Sequence, residues 1–190
     1  MIMGKGALVV IDMVKDNLAD TEHNLVAREA EVIIPVINGL AADFRQRNWP
    51  VIYASDSFLE DDFIFGGKMA PHAIRGTEGA EVTDALMQND EDIILPKRRF
   101  SAFFKTDLDQ TLRTLKVDTV VVCGITSLFC VLATAFDSLC HDFKTIIVED
   151  ASCAHKAEIH QALMGFYRHN PLYPLFRILP AADIVASVNL

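Results

Sequence analysis

The sequence predicts an α/β fold: a three-layer, doubly wound, mostly parallel six-stranded sheet with helices on both faces. Three observations predict it. Short β-branched runs are apolar throughout instead of alternating, as in strands covered on both sides. They alternate with segments of helical period, which implies parallel pairing through crossover helices. The 190 residues, 51% hydrophobic and 23% charged, suit one globular domain spanning 1–190 with a sizeable core.

The runs are ALVVID (7–12), VIYAS (51–55), IILP (93–96), TVVVCG (119–124), TIIVED (145–150) and a weaker FRIL (176–179). Residues 24–48 place apolar side chains at helical spacing, with Pro35 as a point of kink or break. Further helices are expected over 107–115, 128–141 and 156–168. The stretch 57–81 has no clear period until its end, and a loop of that length suggests a wall or lid over a pocket.

Charge and cysteine usage exclude several classes. Lys plus Arg is 17 and Asp plus Glu 26, a net charge of −9, which does not suit a nucleic-acid binder. No apolar run reaches the ~20 residues of a membrane helix, and the N-terminal run meets Asp12 with no secretory cleavage site after it. The cysteines, at 123, 130, 140 and 153, lack CxxC spacing. Reduced thiols in a cytoplasm are the expectation. The first strand is followed by DMVKDN and not GxGxxG, which disfavours a dinucleotide site.

Open α/β sheets bind ligands beyond the carboxyl ends of their strands. That rule selects Asp12, Asp56, Lys97 and the stretch from Gly124 to Cys130. Each residue has two readings. Cys130 lies between Phe129 and Val131 and reads as a packed hydrophobe, or as a nucleophile whose thiol a helix N-terminus acidifies. Cys123 and Cys140 read as buried packing, and Cys153 as an incidental loop residue. Asp12 serves its own turn, or is a general base lifted by desolvation. Lys97 joins a solvated cluster with Arg98 and Arg99, or is a buried cation steadying the carboxylate and the thiolate. In the GITS turn Gly124 permits a bend, and Thr126 or Ser127 would cap the helix. The same turn could instead point two N–H groups at an oxyanion.

The stretches ALVVIDMVKD, LPKRRFSAFFKTDLDQTLRTLKVDTVVVCGITSLFCVLATAFDSL and TIIVEDA together resemble the isochorismatase-like cysteine hydrolases, which include nicotinamidases and N-carbamoylsarcosine amidases. The resemblance runs from about residue 7 to the last helix. It implies a catalytic Asp12, Lys97 and Cys130. It further implies a cis peptide between Ile125 and Thr126, and an oxyanion hole made by the N–H groups of Thr126 and Cys130. Ile125 and Ser127 stand where the family commonly has Val and Thr.

The same resemblance bears on metal. Nicotinamidases of the family hold zinc or a related ion on Asp-x-His plus a later His. Here Asp56 and His72 match, but Phe58 stands at the first His and has no lone pair to give. Asp61 or Asp62 would have to substitute. The expectation is therefore no cofactor and no metal, with Asp56 and His72 the ligands should an ion bind. A metal-independent amidase resembling N-carbamoylsarcosine amidase is favoured over a metal-dependent nicotinamidase. An isochorismatase-type hydrolase, which commonly lacks the thiol, is disfavoured by Cys130. The partner is a small amide, with Phe58, Phe63, Phe65, His72 and Phe103 as pocket walls. A homo-oligomer, dimer or tetramer, is expected, with PLYPLFRIL in its interface. A redox-sensing or binding domain is the alternative outside catalysis.

Overall fold

A computed structural model describes residues 4–19 and 22–188. Six strands, β1 (Gly6–Ile11), β2 (Val51–Asp56), β3 (Ile93–Lys97), β4 (Thr119–Ile125), β5 (Lys144–Cys153) and β6 (Phe176–Leu179), form one sheet in the order β3-β2-β1-β4-β5-β6. Every pairing is parallel. Five α-helices accompany them: α1 (Leu25–Gln46), α2 (Leu108–Thr114), α3 (Cys130–Cys140), α4 (Ala157–Arg168) and α5 (Ile184–Val188). The short α5 has no counterpart in the sequence reading.

Alternate residues of each central strand feed two separate cores. Leu8, Val10, Tyr53, Val121, Cys123 and Ile146 pack against Ile33, Ile37, Leu40 and Phe44 of α1, and against Ile184 of α5. Ala7, Val9, Ile11, Ile52, Val120, Val122 and Ile147 face the other way, onto Leu108 and Leu112 of α2, Val131 and Ala135 of α3, and Met164 of α4. Because both faces are covered, the strand sequences cannot alternate in polarity.

Several elements differ from expectation. The edge strand β3 is not buried on both faces, since Ile94 is exposed there. β5 runs on to Cys153, so that thiol is a buried strand residue, whereas Cys140 at the end of α3 is exposed. Pro35 neither breaks nor ends α1. The helix passes through it on the exposed side, where water can take the carbonyl left without its i+4 donor. Asn24 caps α1, its side chain accepting from the amides of Val26 and Ala27 at 3.1 and 3.2 Å. Among the described residues no helix is long and apolar enough to cross a membrane. Leu172, Tyr173 and Leu175 of the PLYPL stretch are exposed.

Candidate active site

The strand order reverses between β1 and β4, so the connections beyond their carboxyl ends run to opposite faces of the sheet and leave a crevice. The chain leaves β1 at Asp12 in a left-handed conformation, φ 55°, which Asp tolerates better than most residues. Gly124, the last residue but one of β4, lies beside Ile11 with φ 105°. A Cβ on Gly124 would lie 2.3 Å from the carbonyl oxygen of Ile11, so the close approach of the two strand ends requires glycine.

Three strand ends converge at the floor of the crevice. Lys97, wholly buried, has its Nζ 2.8 Å from Asp12 Oδ2 and 2.7 Å from Asp56 Oδ1. It donates to Asp56 Oδ1 and to the carbonyl of Arg99 at 3.0 Å, whereas its contact with Asp12 Oδ2 is an ion pair without hydrogen-bond geometry. Asp12 Oδ1 accepts from the amide of Asp56 at 2.9 Å. The Asp12 carboxylate thus faces across to β2 and does not serve its own turn. Lys97 parts from Arg98 and Arg99, whose guanidiniums reach Asp62 at 2.6 and 3.2 Å.

Cys130 is the first residue of α3 and lines the same cavity as Asp12, near enough that each shifts the titration of the other. Burial and the charge of Asp56 push Asp12 from its ordinary 3.8 up to about 8, against the pull of Lys97 and Cys130. Burial would depress Lys97, but the Asp12 and Asp56 carboxylates more than offset it and hold the ammonium charged. Burial, reinforced by Asp12, pushes the Cys130 thiol well above 9.0 against the opposing effect of Lys97. This reverses the expectation of an acidified thiol. Position at a helix start lowers a thiol pKa, but here desolvation beside a carboxylate outweighs it.

The turn before Cys130 differs in its capping. The N-cap position is Phe129, without a side-chain hydrogen bond, and not Thr126 or Ser127. The amides of Phe129 and Val131 donate to the carbonyl of Thr126, and that of Ser127 donates to Cys153. Among the described residues the amides of Thr126 and Cys130 have no backbone acceptor. The Ile125–Thr126 peptide is cis.

Ser127 is fully buried and leans on α4. His160 Nε2 lies 2.9 Å from the carbonyl of Glu149, and Nδ1 lies 3.1 Å from Ser127 Oγ. The carbonyl can only accept, so Nε2 carries the proton and Nδ1 accepts from the Ser127 hydroxyl. Burial lowers the His160 pKa below 6.5. Below pH 6.5 the unfolded chain then binds the extra proton and the folded chain resists it, so stability from this group is lost on acidification. His160→Gln cannot titrate there. The stability advantage of the wild type over this variant, read from urea midpoints, should shrink as pH falls from 7 to 5.

Above Cys130 lies a cavity of about 530 Å³, within the usual range for small-molecule sites. Phe58 and His72 line it, as expected. Phe63, Phe65 and Phe103 do not. Phe63 points into solvent at 89% exposure. Phe65 packs edge-on behind Phe58 and His72. Phe103 turns to the α2–α3 side and stacks on His141 at 5.0 Å. The sequence reading missed Phe100, Phe129, Ile125 and Met69, which complete the apolar wall, and Asn17, Asn24 and His155 around it. Phe100 and Phe129 lie beside Lys97 and Cys130 in sequence, and that adjacency was the available signal. The 57–81 stretch is the wall expected of it, through Phe58, Ile64, Met69, Ala70, Pro71 and His72.

The donor set does not fit a divalent ion. Among the described residues no three His, Cys, Asp or Glu side chains cluster to hold one. The Phe58 ring is buried in the wall, Asp56 is taken by Lys97, and His72 Nδ1 lies 2.9 Å from the Ala70 carbonyl. Asp62 is held far below the usual carboxylate range by Arg98 and the amide of Leu59, and Asp61 is exposed.

This architecture has close parallels. Residues 6–174 match the isochorismatase domain. A probable inactive nicotinamidase of Arabidopsis thaliana is 35% identical over 167 residues, covering 82% of this chain and 84% of its own. The maleamate amidohydrolase of Pseudomonas putida is 28% identical over 83% of this chain and 76% of its own. The solved N-carbamoylsarcosine amidase of Thermoplasma acidophilum superposes with a TM-score of 0.79 at 31% identity, over 93% of this chain and 96% of that one. A domain match across most of the sequence, joined to the 3-2-1-4-5-6 parallel sheet, places the chain in the isochorismatase family of hydrolases.

Proposed function

We propose that the protein hydrolyses the C–N bond of a small amide or ureide through a thioester on Cys130. The observation that carries this is the convergence of Cys130 and Asp12 in the lining of one cavity, with Asp12 raised by burial and ion-paired to a buried Lys97. A carboxyl near 8 is a far better match for a thiol proton than an ordinary one near 4. Asp12 takes that proton as the sulfur attacks the carbonyl carbon. The N–H groups of Thr126 and Cys130 hold the tetrahedral oxyanion. Lys97 stays charged throughout and keeps the transferred proton from being trapped. Asp12 passes the proton to the departing nitrogen, and ammonia or an amine leaves. Asp12 then deprotonates the water that cleaves the thioester, and its proton returns to the sulfur. No step needs a metal. Amide hydrolysis by the maleamate and N-carbamoylsarcosine relatives supports the reaction class.

Ammonia release from a panel of carboxamides and ureides, with and without chelator, tests the reading. Turnover should be insensitive to chelator, and the acyl–Cys130 adduct should appear by mass spectrometry in rapid quench. Turnover without any adduct, or turnover lost to chelator, would contradict it. Asp12→Asn should lower kcat/KM by about 10²–10⁴ without lowering stability at pH 8. The sign follows from linkage: between 3.8 and about 8 the folded protein holds a proton that the unfolded chain lacks. The contribution of Asp12 to stability therefore falls as pH rises through that window. Asparagine is spared that loss, so its melting temperature should equal or exceed the wild type.

A further inference from the structure

The charge around the cavity is one-sided. Asp12, Asp16 and Asp56 line it, and among the described lining residues there is no Lys or Arg. Lys97 lies beneath the floor, hydrogen-bonded to Asp56 and the Arg99 carbonyl and ion-paired with Asp12. The nearby guanidiniums face a separate depression behind Lys97. Arg98 and Arg99 are held by Asp62, and Arg75 by the Ser57 hydroxyl at 3.1 Å. Of the other polar lining residues, Asn17 and Asn24 spend their side-chain amides on the carbonyls of Asp12, Asn17 and Ala19, and Thr126, His72 and His155 are uncharged neighbours of an apolar wall in which the rings of Phe100 and Phe129 lie 5.8 Å apart.

A carboxylate moved from water into such a space meets other carboxylates and much hydrocarbon and gains no lysine or arginine partner. We infer that the site selects amides and ureides that bear no anionic group, with an uncharged, apolar or planar body lying against Phe100 and Phe129. The cavity therefore excludes amic acids and N-carbamoyl amino acids, which carry a carboxylate beside the scissile bond. The inference rests on the proposed function only for where the reacting carbonyl sits, at Cys130.

Matched pairs isolate the charge. Succinamate and 4-oxopentanamide share a primary amide and a chain length, as do 4-carbamoylbenzoate and 4-acetylbenzamide. The pairs are compared at pH 8. Ammonia release should favour the neutral member of each pair by about 100-fold in kcat/KM, consistent with a site that leaves a buried polar group unpaired. Carboxylate members turned over at equal or better rates would overturn the inference and leave the amidase reading intact. A second measurement needs no turnover. Iodoacetamide and iodoacetate differ in the same way, and their alkylation of Cys130 can be followed by peptide mass, each rate divided by that with a small free thiol. Iodoacetamide should lead by about tenfold or more; parity would overturn charge selection. A strong iodoacetamide preference with no ammonia from any substrate would count against catalysis and for the selection. Met69→Arg, on the exposed part of the wall, should narrow the alkylation ratio at least threefold. An unchanged ratio would remove charge as its cause.

Discussion

Cys130→Ala is expected to reduce amide hydrolysis to the uncatalysed background, a loss on the order of 10⁴-fold or more, while the protein stays folded. Among the described residues that line the cavity the thiol is the strongest nucleophile for a carbonyl carbon; the carboxylates and the ammonium beside it are engaged with one another. The side chain is small and partly buried, so removing its sulfur should cost about 1 kcal/mol. The other cysteines supply controls. Cys140→Ala alters an exposed helix end and should leave turnover unchanged. Ammonia release and urea denaturation of the two variants separate the outcomes. Residual turnover of more than one per cent in Cys130→Ala would end the covalent mechanism.

Lys97→Met is expected to harm both activity and folding. Methionine matches the length of the lysine stem but brings no charge. Asp12 and Asp56, 2% and 7% exposed, would then face each other unneutralised. Removing one member of a buried ionic group costs about 3–5 kcal/mol, a large share of the stability of a domain this size. One of the two carboxyls can escape by protonation. Asp12 stands at about 8 with Lys97 pulling it down and rises once Lys97 is gone, so the urea midpoint of the variant should recover toward the wild type as pH falls from about 10 to 8. The activity should not recover, because a protonated Asp12 cannot accept the thiol proton. A variant as stable as the wild type at about pH 10 would mean that the two carboxylates are not both charged in the folded state even there.

Much of this was legible in the sequence, and the failures share a cause. ALVVID and TVVVCG read as two-sided strands because covering both faces leaves no room for polar residues, and that pattern is local. The strand-end rule then brought Asp12, Asp56, Lys97 and Cys130 under inspection before any coordinates. The rule gave Asp56 no role toward Lys97, since only the β2–β3 register, Asp56 opposite Lys97, sets the second carboxylate against the ammonium. The pocket wall was harder. Phe58 and Phe63 look alike in a stretch without period, yet one is buried and the other is solvent-facing. Phe103 differs from Phe100 only in which side of a turn it leaves. The thiol failed for a related reason: a helix start is visible in sequence, but the depth at which it is buried is not. IILP looked two-sided until its place at the sheet edge was known.

The depth of Cys130 has a bearing on how long a sample keeps its strength. Peroxides and air attack sulfur in its ionised form, and a sulfhydryl held protonated between visits of the substrate offers them little. The enzyme should thus tolerate aerated buffers better than hydrolases that rest with a bare sulfur anion. What oxidation does occur should fall first on the outlying Cys140, where it is harmless.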